Sequence, residues 1–304
     1  MAEVAALLLN WRQPDLTVQC LRDLVAAAVP GLCIAVIDNG SGDDSVQKLE
    51  AAITAANAAG VPTQLLALDG NLGFTGGMNV GFEWGKQQRC EFALVLNNDL
   101  RLQPGFLEPL LATLRNDVRV AAVTPTVVYP DGTVWAQGGS LGFCPNALRL
   151  IGNGERPAPV DSGPESIDFA PGACVLFRLS EVLEVGGFDE RYFMYWEDVD
   201  LSLRLKARGG RVVWLPWVRV THLGGASAGG SRSPLRKYLM AKNSLRFLKS
   251  HGSLKQWTAL LLLDVLSLPV LLCLRPRSFV AKASGLLAGF TGSASTADDV
   301  ARWK

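Results

Sequence analysis

The sequence predicts an α/β fold with a mostly parallel, Rossmann-like sheet flanked by helices and a helical extension at the C-terminal end. Short, continuous apolar runs, typical of strands buried on both faces, recur through the first hundred residues. A segment with helical spacing follows each of the first three runs. Beyond Ser233 the composition changes to helix formers rich in Leu, Lys and Arg. The 304 residues suffice for one large domain with a helical appendage.

The first half is predicted as alternating strands and helices, which is typical of a parallel, doubly wound sheet. The strands cover residues 4–9, 33–37, 63–68 and 92–96. Helices are predicted at 14–29, between the second and third strands up to about residue 59, and at 75–88. In the second half, residues 130–167 are predicted as loops with short strands rather than a separate domain, and 169–179 as a return to the sheet. Residues 195–208 are predicted as a helix with an acidic opening, and 211–215 and 218–220 as two short strands around Pro216. We expect one domain over residues 1–232, divided at about residue 100, and a helical region over 233–304.

Composition excludes several classes of protein. Basic and acidic side chains almost cancel, 29 against 28, so no global charge favours nucleic acid. The six cysteines are scattered without a C-x-x-C pair, which argues against a thiolate zinc site and favours a reducing compartment. The first residues lack the positive segment of a signal peptide. We therefore expect a cytoplasmic protein.

Polar residues follow the predicted strands where a parallel sheet binds its ligands, outside the carboxyl ends of the strands. Asp38 can accept hydrogen bonds from a base or ribose, or it can cap the helix that begins near residue 43. Asp99, directly after a buried strand, can hold a divalent cation that neutralises a diphosphate, or it can belong to an Asx-rich turn. Both alternatives stay open at this stage.

Residues 70–79 form a glycine-rich turn that enters a helix, and its backbone N–H groups can face phosphates. The turn lacks both G-x-G-x-x-G and the Walker lysine, which excludes the usual dinucleotide and P-loop sites. Glycines that only permit a tight turn are the structural alternative.

An acidic segment opens the predicted helix near residue 197. Acidic residues at this position commonly complement the helix dipole. Here Asp198 lies beside Trp196, which we expect to be exposed and able to stack on a sugar, so Asp198 is a candidate general base for an acceptor hydroxyl. His222 precedes a glycine-rich stretch, residues 224–230, that suits a lid over a metal-bound nucleotide.

The order and spacing of these motifs resemble the family 2 glycosyltransferases of the GT-A fold, especially the bacterial rhamnosyltransferase-like branch. The resemblance covers about residues 4–250. The motifs that carry it are Leu9-Asn10-Trp11, Val36-Ile37-Asp38-Asn39-Gly40-Ser41, Asn71-Leu72-Gly73-Phe74 with Gly77 and Asn79, Leu96-Asn97-Asn98-Asp99, Gly172-Ala173-Cys174, Gly187-Phe188-Asp189, Trp196-Glu197-Asp198-Val199-Asp200 and Thr221-His222.

The resemblance implies that residues 1–232 are a catalytic domain, with a nucleotide-sugar half up to about 100 and an acceptor half from about 101 to 232. It also implies a role for each matching residue. Asp38 would bind the nucleobase, in a pocket that the backbone near Leu9 and Asn10 also lines. Asp99 and His222 would ligate Mg²⁺ or Mn²⁺, and Asp198 would be the catalytic base. The remaining donor, nucleotide or acceptor contacts would come from Asn71, Asn79, Asn98, Gly172, Ala173, Trp196 and Glu197.

The implied reaction is a single displacement that inverts the sugar's anomeric configuration, with a nucleoside-diphosphate sugar as donor and a saccharide or lipid-linked acceptor. Rhamnose is the leading donor sugar, on the resemblance to that branch. One departure is Asn97, where the family often has an acid. An amide is a poorer metal ligand than a carboxylate, so tight metal binding is expected to need the donor's phosphates.

The apolar segment 254–274 is flanked by Lys249, Lys255, Arg275 and Arg277. This pattern fits a helix lying on an anionic membrane surface, at the inner face of the cell membrane. A core helix or a helix at a homo-oligomer interface is the alternative, and the sequence does not separate them.

Two other functions share parts of the pattern. A sugar nucleotidyltransferase would need a basic, glycine-rich first turn, and residues 9–14 contain no glycine. A non-catalytic sugar- or nucleotide-binding module would have no need for Asp198 beside Trp196.

Overall fold

The computed structural model describes residues 3–142, 148–157, 163–224, 233–266 and 268–303. The strands in these residues are β1 Val4–Asn10, β2 Leu32–Asp38, β3 Thr63–Ala67, β4 Phe92–Leu96, β5 Leu100–Arg101, β6 Val120–Val128, β7 Val134–Ala136, β8 Gly139–Leu141, β9 Leu148–Leu150, β10 Glu165–Ser166, β11 Cys174–Arg178 and β12 Arg211–His222. The α-helices are α1 Pro14–Ala26, α2 Ser45–Ala58, α3 Gly73–Gln87, α4 Leu107–Asn116, α5 Leu179–Glu184, α6 Glu197–Ala207, α7 Pro234–His251, α8 Leu254–Ala259, α9 Leu268–Leu274, α10 Pro276–Thr291 and α11 Ala297–Trp303.

A ten-stranded mixed sheet forms the centre, with the order β10-β12-β6-β11-β4-β1-β2-β3, while β5 pairs with β12 and β7 with β6. The four strands of the first half are parallel, as predicted. In the second half β12 is parallel to β6, whereas β11 lies antiparallel to both β4 and β6. The parallel arrangement expected from the β-α alternation is therefore confined to part of the sheet.

Two hydrophobic cores lie on opposite faces of this sheet. Alternate residues of β1 point to opposite sides: Val4, Ala6 and Leu8 pack with α1, α2 and α4, while Ala5 and Leu7 pack with α3, α5 and α6. Because the central strands are buried on both faces, their sequences are continuously apolar rather than alternating. This explains why the apolar runs identify the strands.

The segment 211–222 is one strand, not two. Its pairing with β6 is irregular between Leu215 and Arg219, so Pro216 lies inside a break in the ladder. A proline, which has no N–H to donate, is tolerated at such a bulge. The expected return to the sheet is also shorter than predicted, because only Cys174–Arg178 pairs.

After the sheet, the described residues from 234 onward form helices. On α10, Gly285 meets the backbone of Tyr238 and Gly289 meets that of Lys242, both on α7. Since both contacts run in the same direction along the chain, α7 and α10 pack parallel and close together. Glycine allows this approach because a Cβ at either position would strike the facing carbonyl.

The apolar segment Leu254–Leu274 is long and apolar enough to cross a membrane, by length and composition alone. It comprises α8, a π-helical turn at Leu260–Val265 and α9. Among its described residues only Leu260 is buried, and Leu254 and Leu274 are 84% and 74% exposed. The segment is therefore not a core helix of this chain.

Candidate active site

The carboxyl ends of β1 and β2 carry a buried polar network. Asn10 and Asp38 are paired across the two strands, and Asn10 Nδ2 donates to Asp38 Oδ1 at 2.7 Å. Asp38 also accepts from the Ser41 hydroxyl at 2.6 Å and from the Ser41 backbone N–H at 3.0 Å. Asp38 therefore organises the turn after β2. It does not cap α2, whose N-cap residue is Asp44.

The network continues across the sheet through Thr17. The Thr17 hydroxyl donates to Asn10 Oδ1 at 2.7 Å and accepts from Asn98 Nδ2 at 3.0 Å. Thr17 lies in the first turn of α1 and is fully buried. Thr17 is not among the predicted site residues. The only sign of it in the sequence is a hydroxyl on the inward face of a helix that follows a strand ending in Asn.

The glycine-rich turn is fastened to the end of β2 by two asparagines. Asn39 Nδ2 donates to Asn71 Oδ1 at 3.1 Å, and Asn71 Oδ1 accepts from the Gly73 N–H at 2.8 Å. Gly73 has a φ of +75° and lies so close to the Phe193 carbonyl that a Cβ would collide with it. Gly73 is therefore needed for backbone contact with the loop before α6, and not only for a tight turn.

Asp99 and His222, separated by more than a hundred residues, meet in the structure. His222 Nε2 lies 3.2 Å from Asp99 Oδ1, and both side chains are buried. Pairing of β12 with β5 places His222 opposite Leu100, the residue after Asp99. Trp135, which the sequence analysis missed, stacks on the imidazole with ring centroids 5.0 Å apart and holds it in place.

This pair fits a divalent cation. Among the described residues, neither Asp99 Oδ1 nor His222 Nδ1 has a hydrogen-bond partner, although both atoms are buried. Two ligands at right angles on an ion, each at about 2.1 Å, are about 3 Å apart, close to the observed separation. No cluster of three or more such side chains occurs in the described part of the chain. The pair could hold a cation whose other ligands are waters or phosphate oxygens.

Asp198 lies in the first turn of α6 and is held by backbone donors. The Gly172 N–H donates to Asp198 Oδ2 at 3.1 Å, and the Val199 N–H donates to Oδ1 at 2.8 Å. Gly172 precedes β11, so this bond ties the base candidate to the centre of the sheet. Fixed N–H donors orient the carboxylate while leaving lone pairs for a proton.

Burial raises the pKa of Asp198 to about 6, and the three backbone N–H donors oppose that rise. The pKa of the neighbouring Glu197 is raised well above its ordinary value, first by burial and then by the charge of Asp198. Two adjacent buried carboxyl groups cannot ionise independently. The arrangement therefore favours a protonated Glu197 beside an Asp198 that ionises near neutral pH.

The loop before α6 is strained. Phe193, Tyr195 and Trp196 all have positive φ, between 65° and 75°, which is rare for bulky residues. Asn243 on α7 holds this loop: its Nδ2 donates to the carbonyls of Tyr192, Met194 and Tyr195 at 2.9–3.0 Å. Such strain persists only where surrounding contacts fix the backbone. Asn243, a residue of the helical region that the sequence analysis did not select, therefore helps position Asp198.

Two predicted binding residues have other roles. Trp196 was expected to be exposed, but it is 2% exposed and its ring packs on Phe247, 4.7 Å between centroids. The positive φ at Trp196 turns the side chain into the core. Asn79 uses both ends of its amide on the Phe188 backbone, at 2.9 Å each. Asn79 therefore fixes the loop that leads to Asp198, and its nucleotide contact stays a prediction.

The remaining predicted site residues are Leu9, Ala173 and Glu197. Leu9 packs against Gly77 at the start of α3. Ala173 is buried, and its carbonyl accepts from the Asn97 N–H at 2.9 Å. Glu197 is buried at the start of α6. The expected lid, residues 224–230, lies outside the described residues except for Gly224.

A sequence model of the family "Glycosyl transferase family 2" matches residues 10–183, more than half of the chain. The chain belongs to the family 2 glycosyltransferases. This family 2 glycosyltransferase is 29% identical over 231 residues to the N-acetylglucosaminyl-diphospho-decaprenol L-rhamnosyltransferase of Mycobacterium tuberculosis, covering 69% of this chain and 72% of that protein. It is also 31% identical over 167 residues to the O-antigen biosynthesis protein RfbC of Myxococcus xanthus, covering 53% and 13%. A shorter match, 43% over 56 residues, is to rhamnosyltransferase WbbL of Escherichia coli K12, covering 18% and 21%.

Solved structures share the GT-A fold of this family 2 glycosyltransferase. The structure of GalNAc-T7 with UDP, GalNAc and Mn²⁺ aligns over 82% of this chain and over 48% of its own chain, with a TM-score of 0.66 at 15% sequence identity. The Pyrobaculum calidifontis mannosyltransferase PcManGT with GDP-Man and Mn²⁺ matches 99% and 78%, with a TM-score of 0.58 at 15% identity. The predicted family and fold are thus confirmed: the chain is a family 2 glycosyltransferase with the GT-A fold, and two of these relatives are named as rhamnosyltransferases.

Proposed function

We propose that this glycosyltransferase is inverting and metal-dependent, with Asp198 as its general base. The observation that carries the proposal is the position of Asp198: a half-buried carboxylate with a pKa of about 6, held by the Gly172 N–H at the ligand-binding edge of the sheet. A base with a pKa near the working pH combines the ionised form with useful proton affinity.

The reaction is a single displacement. The acceptor oxygen forms a bond to C1 of the donor sugar, the bond from C1 to the diphosphate breaks, and Asp198 takes the acceptor proton. A divalent cation held by Asp99 and His222 would supply positive charge for the departing diphosphate. The turn at Asn71 and the Asn10–Asp38–Ser41 network support donor binding at the adjacent strand ends.

The substrates follow from the relatives. The Mycobacterium tuberculosis relative is named for a rhamnosyl donor and a diphospho-decaprenol acceptor, so we infer rhamnose from a nucleoside diphosphate and a lipid-linked saccharide. A lipid-linked acceptor places the enzyme at the cytoplasmic face of a membrane, where the exposed segment Leu254–Leu274 would make a peripheral contact.

A donor screen tests this function. Binding and slow hydrolysis of dTDP-rhamnose, UDP-N-acetylglucosamine and GDP-mannose would be measured with Mn²⁺, with Mg²⁺ and with EDTA. We expect one donor to respond only with metal, and the response to disappear in Asp99→Ala but not in Glu50→Ala, an exposed acid on α2. NMR of the transferred sugar would show the inverted anomer. Folded protein that ignores every donor, or turnover unaffected by EDTA, would contradict the proposal.

A further inference from the structure

Four basic side chains gather where the beginnings of α7 and α10 meet. Arg236 and Lys237 lie on the first turn of α7, Arg275 immediately precedes α10, and Lys282 lies on α10. Parallel packing of the two helices brings these positions to the same end. We call these four residues the basic cluster.

The basic cluster lies beside the candidate active site. The Arg236 guanidinium is 5.8 Å from the centre of the Tyr195 ring, three residues before Asp198. Leu235, the preceding residue on α7, is buried in the same hydrophobic cluster as Phe193, and Trp11 from the first strand-end loop packs against that cluster. The loops on the donor side and the base side therefore both meet the start of α7.

The positive charge of the basic cluster is largely uncompensated. Lys282 forms an ion pair with Asp264 at 2.6 Å. In the described part of the chain, Arg236, Lys237 and Arg275 have no ion-pair partner. Lys237 is half-buried, and its pKa is lowered first by burial and then by the charges of Lys282, Arg236 and Arg275, while the charge of Asp264 opposes the lowering. Because like charges held together repel, an anion bound among them would relieve the repulsion.

An exposed apolar surface borders the basic cluster. Asp264 and Arg275 belong to or adjoin the segment Leu254–Leu274, which is apolar and unburied. On α10, Leu287 and Phe290 are about 70% exposed and extend this surface. A compact basic cluster beside a large apolar surface is complementary to a lipid diphosphate, because the head of that lipid carries two negative charges and its chain is hydrocarbon.

We propose that the basic cluster binds the diphosphate of a lipid-linked acceptor, while the adjacent apolar surface receives the lipid chain and thereby directs the acceptor hydroxyl toward Asp198. This inference rests on the proposed function and assigns an acceptor site to residues outside the matched family region, which ends at residue 183. Guanidinium and ammonium groups bind phosphate oxygens by charge-assisted hydrogen bonds.

Binding of farnesyl diphosphate, a short-chain lipid diphosphate, tests the inference without requiring turnover. The double variant Lys237→Gln/Arg275→Gln removes two unpaired charges and leaves no carboxylate unpaired. The control Lys48→Gln/Lys86→Gln removes two exposed charges from the first half of the chain. We expect the dissociation constant for farnesyl diphosphate to rise about tenfold or more in the first variant and to stay unchanged in the control. Circular dichroism would confirm folding, and Lys237→Gln alone would replace a double variant that fails to fold.

Three results would overturn the inference. Farnesyl diphosphate binding could be unchanged in the cluster variant. The affinity for the donor nucleotide could fall as much as that for farnesyl diphosphate, which would assign the cluster to the donor. The loss could instead be confined to phosphatidylglycerol vesicles, which would assign the cluster to lipid headgroups. Because donor binding is measured separately through Asp99→Ala, a failure of the transferase proposal is distinguishable from a failure of the acceptor site.

Discussion

Asp198 and Glu197 are adjacent carboxyl groups whose pKa values are both raised by burial, and the charge of Asp198 raises the pKa of Glu197 further. An acid with a raised pKa is destabilising when ionised, because the folded state resists the charge. Backbone donors to Asp198 limit that cost and keep it available as a base near neutral pH. The strain in the preceding loop and the buried acids together indicate a site where stability is reduced in favour of chemistry.

Replacing Asp198 with Asn should lower kcat by about 10²- to 10⁴-fold, the usual contribution of a general base, with donor affinity little changed. In the wild type, kcat/KM should fall as the pH drops below about 6, when Asp198 becomes protonated.

The stability of Asp198→Asn should change with pH in the direction that a raised pKa of Asp198 requires. The pKa of Asp198 is higher folded than its ordinary value of 3.8, so ionisation disfavours the folded state as the pH rises from about 4 through 6. Asp198→Asn should therefore have a higher Tm than the wild type at pH 8, and the difference should shrink toward pH 4. Lower stability of the variant at pH 8, or unchanged kcat, would contradict the assignment.

How far the sequence predicts the site depends on the kind of residue. Asp99 and His222 stand out in the sequence as polar residues that follow strands, and the family resemblance assigns both to a metal. The structure brings them together. Trp196 was misjudged because its direction depends on a backbone conformation that aromatic residues rarely adopt. Thr17 and Asn243 were missed because a buried hydroxyl or amide leaves no mark on hydrophobic periodicity.

Among the elements, α7 connects the helical region to the catalytic loop. Near its middle, Asn243 donates three hydrogen bonds to the strained loop, and its Oδ1 accepts from the Ser295 hydroxyl at 3.2 Å. At its end, His251 Nε2 lies 2.7 Å from Asp200 Oδ1 on α6. The position of Asp198 therefore depends on Asn243, a residue more than forty positions away in sequence.

Asn243→Ala should lower kcat more than it changes the KM for the donor, because the loop that presents Asp198 relaxes while the strand-end network stays intact. The unfolding free energy should fall by about 1–3 kcal/mol, since three carbonyls lose their donor. Ser295→Ala is the control, because it removes only the bond to Asn243 Oδ1 and keeps the three donated bonds. A loss of stability with unchanged kcat would show that Asn243 stabilises the fold without positioning Asp198.

The strands themselves were predicted better than their directions. Continuous apolar runs identified β1 to β4, and the β-α alternation correctly gave their parallel order. β11 is equally apolar, and a strand buried on both faces has the same composition whether it runs parallel or antiparallel. Its orientation is set by long-range pairing with β4 and β6, which short-range patterns do not encode.

At the scale of the whole molecule, exposed apolar side chains are concentrated in one region. Most of the large exposed hydrophobic residues of the described chain lie between Leu254 and Phe290. Exposed apolar patches of this kind mark contacts with membranes or other proteins. With Lys255 and Arg277 near them in the sequence, an anionic membrane surface is the proposed contact.

Flotation with vesicles tests this contact. The wild type should bind vesicles that contain phosphatidylglycerol, and Leu262→Ser/Leu266→Ser should bind them severalfold more weakly at unchanged Tm, because both side chains are already exposed. Val118→Ser/Trp217→Ser, which removes exposed hydrophobic groups elsewhere, is the control. If the wild type ignores vesicles but forms a dimer that the first variant dissociates, the surface is a subunit interface instead.

The position of β11 has a consequence for synthesis of the chain. β4 and β6 lie on either side of β11, yet both leave the ribosome before it does. Until residue 178 emerges, each of these two strands has an open edge, and open strand edges pair readily with other chains. We expect nascent chains stalled before β11 has emerged to bind chaperones or aggregate, whereas chains in which β11 and then β12 have paired lose these open edges.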